Sequence, residues 1–211
     1  MGEKYDSCYD YELRPLRFAP NLELARASTA GSDFPAPRLS EMLAGGPSAI
    51  QAATDYSQRP ATTIAGAASR ATETLQHAGT DPAAQLAAGQ QVVAQLTECL
   101  GDVQTQTAQS NATFQVLDHA GSLSTSDLAG VARKSARTTR QAVSEHLGPL
   151  DVLIDTVLSR AQDSALNAVG AHAEAAVNRI GQFAHASSAG LYNAMFQRGM
   201  GDVPEPPGSA A

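Results

Sequence analysis

The residues of this 211-residue chain that could carry chemistry are five histidines, two cysteines and one compact basic cluster. A zinc or di-iron centre needs paired ligands on one helix face, at spacings such as H-x-x-x-H or E-x-x-H. His77, His119, His146, His172 and His185 form neither spacing. Asp118 and His119 are neighbours in sequence, which points them to different faces of a helix. Cys8 and Cys99 sit in unlike contexts and make neither a disulfide framework nor a metal site. Cys99 falls in a helical pattern and reads as a small buried hydrophobe. Phosphate loops need a glycine-rich turn with a lysine, and the two lysines, Lys4 and Lys134, lie near none. The chain has no G-x-S-x-G elbow. These readings predict no catalytic, cofactor-binding or metal site, and so a protein that is not an enzyme.

What remains is chemistry of contact. Arg133, Lys134, Arg137 and Arg140 stand close together in a chain of net charge −7. On a helix Arg133, Arg137 and Arg140 share one face, and aligned guanidinium groups suit carboxylate or phosphate partners. The same cluster could instead neutralise a neighbouring helix or face water. The acidic balance argues against general nucleic-acid binding, which needs a basic footprint. Ala186, Gly190 and Ala194 recur at four-residue spacing and offer a small-residue face to another helix. Tyr5, Tyr9, Tyr11, Phe18 and Phe34 are half of the chain's aromatics. They lie among Pro15, Pro20, Pro35 and Pro37, which break any long helix. Residues 1–46 therefore read as an extended arm, with a helical turn near Ser40 to Ala44. Such an arm lies on its own body or docks on a neighbour, and aromatic side chains are favoured anchors for the second case.

The elements that must position these groups are helices. Alanine supplies much of the 43% hydrophobic fraction, and alanine buries little area, so the helices must approach closely or borrow area from a partner. Helices are expected over about 47–58, 60–78, 82–119, 126–147 and 149–197, with Pro/Gly-rich residues 199–211 as a disordered or partner-pinned tail. Pro60 predicts a break. Asp81-Pro82 predicts a capped start. Within 82–119 the positions Leu86, Gly89, Val93, Leu96, Leu100, Val103, Thr107, Ser110, Phe114 and Leu117 form a coiled-coil-like seam. That helix would be roughly 55 Å long at about 1.5 Å per residue. Ser126-Asp127 read as the next helix start. Gly148-Pro149 reads as a kink or a reversal, and the stripe after it includes Leu150, Ile154, Val157 and His172. Gly170, Gly181 and Gly190 predict close packing. The expected fold is an all-α, elongated antiparallel bundle of three to four long helices.

No signal-peptide pattern opens the chain, and no stretch is apolar enough to span a membrane. These features predict a cytoplasmic protein or one held within a particle. The expected function is a non-enzymatic structural or accessory component of a larger assembly, of virion, phage-particle or cytoskeletal-lattice type, with protein partners in a homo- or hetero-oligomer. Two alternatives stand beside it. One is an amphipathic helical coat for lipid or polymer granules. The other is a ligand-binding or enzymatic helical bundle.

Overall fold

The computed structural model describes residues 36–201, with side chains placed from 40 to 187. Every regular element among the described residues is helical and none is a strand. The elements are α1 (Ala36–Leu43), α2 (Gly46–Ser57), α3 (Arg59–His77), α4 (Pro82–Ala120), α5 (Thr125–Ala142), α6 (Gly148–Ile154) and α7 (Ser164–Gly201). Two π-helical turns, Val143–Leu147 and Asp155–Ser159, flank α6. The arm residues Tyr5, Tyr9, Tyr11, Phe18 and Phe34 lie outside the described residues, as does the tail beyond Gly201.

Local chemistry accounts for most of the helix ends. Asp81 caps α4 by accepting from the Ala84 N–H at 2.9 Å, with Pro82 behind it. A proline is harmless there because the first helical N–H has no partner within the helix. Gly121 closes α4 in the left-handed region at φ 62, where only glycine sits without strain. Ser124, not Ser126, caps α5: its hydroxyl accepts from the Asp127 N–H at 3.1 Å, and the Asp127 carboxylate accepts in return. The break expected at Pro60 falls at Gln58, between α2 and α3. The helical turn expected near Ser40 is α1, in which Ser40 is interior and Met42 is fully buried. At the α1–α2 turn Gly45 has φ 76, and a Cβ there would meet the Ser122 carbonyl oxygen at 2.9 Å.

Gly148-Pro149 lies within an unbroken helical run from Thr125 to Ser159, so it is not a reversal. Pro149 has no N–H to give to the Glu145 carbonyl, and its ring would crowd that carbonyl. The π turn before it absorbs the conflict, and the Gly148 N–H reaches back to the Val143 oxygen instead. The true interruption comes later, at Arg160 to Asp163, where the expected single helix over 149–197 divides. Asp163 restarts the chain by accepting from the Ala165 N–H at 2.7 Å. This break resets the helical phase. His172, expected on the buried stripe, is exposed, while Leu166, Ala173, Val177, Ile180 and Ala184 face inward.

The apolar side chains form two cores. The larger joins α3, α4, α6 and α7, and includes Ile64, Leu75, Val92, Leu96, Leu150, Ile154 and Ile180. The smaller joins α1, α2, the end of α4 and the start of α5, around Met42, Tyr56, Phe114, Leu117, Leu128 and Val131. Helix α4 packs on α3 and on α7, so its buried face is wider than a single seam. Ala88, Val92 and Cys99 are buried beside the seam positions, whereas Leu86, Val93 and Leu100 are only partly covered. The closest approach is at Gly89, where a Cβ would meet Val169 Cγ1 at 2.6 Å, and at Gly170, where it would meet the Ser159 backbone nitrogen at 3.0 Å.

Candidate functional site

An open groove of about 740 Å³ lies between two helical walls. One wall is the π turn and the start of α6, with Val143, Ser144, Leu147, Gly148 and Asp151; the other is α7 from Val177 to Ala186. The groove exists because two glycines leave it unfilled. A Cβ on Gly148 would touch nothing within 4 Å, and one on Gly181 would make only an ordinary 3.7 Å contact with Val143. The lining is mostly apolar, with Leu147 and Val177 at its base.

One charged group stands in this wall. Asp151 Oδ1 is shut off from solvent and has no hydrogen-bond partner. Burial raises the Asp151 carboxyl above its ordinary value, and the like charges of Glu174 and Asp155 add to the effect. A cation in the groove would favour the ionised form of the carboxyl. The neighbouring carboxylates are already engaged: Glu174 accepts from the Ser159 hydroxyl at 2.5 Å, and Asp155 pairs with Arg160 at 2.6 Å.

The residues singled out in the sequence fall in different places. Arg133, Lys134, Arg137 and Arg140 are all exposed on the outer face of α5. That face is opposite Leu128, Val131, Ala132, Ser135 and Thr139, which point inward. Arg140 also donates through Nε to the Ala136 carbonyl at 3.2 Å. Ala186 is exposed and lies on the groove wall, whereas the surroundings of Gly190 and Ala194 lie outside the described residues. Cys99 is buried, and burial, with Asp102 and Glu98 adding to it, pushes its thiol up to about 11. It is therefore a protonated core residue at neutral pH.

His77, His119 and His172 turn Nδ1 to the carbonyl four residues earlier on their own helices, at 2.7, 3.0 and 2.6 Å. Among the described residues no three His, Cys, Asp or Glu side chains are grouped to hold a metal ion. No helix among them is long and apolar enough to cross a membrane. Asp151 and its groove were missed in the sequence. The available signal was Gly148 and Gly181, two residues without a side chain to fill the space.

The described residues define an all-α protein with an open apolar groove. Compared with known proteins, the chain matches no family model, no curated protein and no solved structure.

Proposed function

We propose that this chain is a non-enzymatic component of a larger protein assembly, of virion, phage-particle or cytoskeletal-lattice type, that docks a helix of a protein partner in its groove. The observation that carries the reading is the pairing of an apolar trough with a solvent-excluded, unpartnered Asp151 oxygen. A helix with an apolar face would cover the trough, and an arginine or lysine on it would stabilise the ionised Asp151 carboxylate, by the helix-in-groove mode. The packing of α4 against α3 and α7 supports an elongated antiparallel bundle as the scaffold. The aromatic arm and the exposed Arg133–Arg140 face supply further contacts in this reading.

The groove volume also favours a second reading. At about 740 Å³ it lies within the range of small-molecule sites, and an amphiphilic amine would meet the same Asp151. A granule coat fits less well, because the apolar faces of the helices are turned into the two cores.

Native size in lysate of the source cells separates these readings. The full chain is expected to migrate in a complex larger than a monomer. Gly148→Phe, which fills the groove, and Asp151→Lys, which repels a basic partner, are each expected to release it with helicity unchanged. A monomeric wild type, or variants that remain in the complex, would overturn the proposal. Removing residues 1–35, which leaves α1 and its Met42 in place, tests the arm separately.

A further inference from the structure

A thin polar layer lies where the two cores meet. Along α4 the larger core ends at Val103 and the smaller begins at Phe114, with Ser110 between them. Along α5 the smaller core ends at Ala132 and the larger resumes at Ala142, with Ser135 and Thr139 between. Ser57 occupies the same place at the end of α2, between Tyr56 and Ala61. These four are among the five buried polar side chains of the described residues, and each is at most 7% exposed. Such a concentration at one level is not what hydrophobic patterning alone would give.

The layer borders a small, partly open cleft of about 20 Å³, whose lining includes the four residues together with Thr107, Asn111 and Ser187. Part of its hydrogen bonding is complete. Ser135 donates to the Ser57 carbonyl at 2.7 Å, Ser57 to the Thr54 carbonyl at 2.8 Å, and Ser187 to the Phe183 carbonyl at 2.8 Å. Each of these hydroxyls keeps lone pairs that can accept. Ser110 is different: it is 5% exposed and its Oγ has no partner. A buried hydroxyl left unpaired costs about 1–3 kcal/mol.

We propose that this cavity binds one ordered water molecule, held by Ser110 Oγ and the hydroxyls of Ser135 and Thr139. A cavity needs only about 10–15 Å³ of probe-occupied volume to hold a water, and the water needs two to four polar partners. The volume fits one water molecule. The bound water completes Ser110 and links α4 to α5 at the level where neither core reaches. It thereby fixes the axial register of the two helices, since sliding either one would bury an unpaired hydroxyl in an apolar core.

Two measurements on the full chain test this. Water-to-protein NOEs, or a high-resolution crystal structure, are expected to place a water within hydrogen-bond distance of Ser110 Oγ. A dry cavity, or a Ser110 hydroxyl turned onto the Gln106 carbonyl of its own helix, would overturn the proposal. Thermal unfolding of Ser110→Ala is the second measurement. Alanine is the better helix former, so its propensity works against any loss. A hydrated site nevertheless predicts a Tm lowered by a few degrees, on the scale of about 2–4 °C per kcal/mol for a chain of this size. A Tm that rises or stays level would mean that the hydroxyl was unpaired and dry. If the variant does not fold, the water measurement on the wild type decides alone.

Discussion

The larger core is built from aliphatic side chains and alanine, with Ile64, Leu96, Leu150, Ile154 and Ile180 shared among α3, α4, α6 and α7. The smaller core is built around two aromatic rings, Tyr56 and Phe114, and closed by the short helices α1 and α2. In the larger core burial is spread over many medium-sized groups, and Gly89 and Gly170 let backbones come close enough for small residues to pack. In the smaller one a few large groups do most of the filling. Tyr56 is also held from outside, with the Arg59 guanidinium 5.5 Å from its ring centroid. Distributed burial tolerates the loss of one contact better than concentrated burial does, and the polar layer between the cores gives each room to respond separately.

The largest expected effect tests that separateness. Phe114 is 2% exposed, and Phe→Ala in a core costs about 3–5 kcal/mol. Phe114→Ala should abolish amide-exchange protection in 42–57 and 117–132 while 64–103 keeps much of its own. Leu96→Ala, at about 2–5 kcal/mol, should instead lower protection mainly in 61–103 and 147–184, the segments of the larger core. Identical exchange profiles for the two variants would show that the protein opens as one unit.

The same contrast explains what was legible in the sequence. Starts and stops written in local chemistry were readable: Asp81-Pro82 and Gly121 act within one turn of chain. The cap of α5 was misplaced by two residues because Ser124 and Ser126 both precede acceptable helix, and only the Asp127 box distinguishes them. The break at Arg160 to Asp163 was not readable, since no proline or glycine marks it; a π turn ends there, with the Arg160 N–H on the Asp155 carbonyl. Missing it carried the expected stripe onto His172. The all-α class needed only composition and periodicity. The groove needed two glycines from different helices to face one another, which is information that no single helix holds. The polar layer had left a trace, because the polar Thr107 and Ser110 interrupt the apolar positions of the α4 seam.

A second prediction concerns close approach. At Gly170 an added Cβ would meet the Ser159 backbone and the Leu158 Cβ, at 3.0 and 3.1 Å, and backbone yields poorly. Gly170→Ala should destabilise by about 1–3 kcal/mol, as overpacking does. Gly101 on α4 has nothing within 4 Å of the same position. There the substitution should stabilise by up to about 1 kcal/mol through helix propensity alone. Denaturant midpoints of the two variants should therefore move in opposite directions. A shift in the same direction would show that the aliphatic core does not depend on that contact.

The smallest effect belongs to the groove on the outside of the larger core. The Asp151 carboxyl binds its proton more tightly in the folded chain than in the unfolded one, because burial raises its value and Glu174 and Asp155 reinforce the shift. Folding is therefore favoured while the group is protonated, and that advantage is lost as pH rises from the ordinary 3.8 through the raised value. Asp151→Asn removes the ionising group. The variant should melt slightly higher than the wild type at neutral pH, with the gap closing as pH falls below about 3.8. Thermal melts across that range check it. Replacing a carboxylate that serves only the fold should never weaken anything else at neutral pH. A variant that melts higher yet no longer enters the native complex would therefore assign the cost of this charge to docking. Equal melting of variant and wild type at every pH would mean that water reaches Asp151, and that its solvent-excluded oxygen gives the groove no preference for a basic partner.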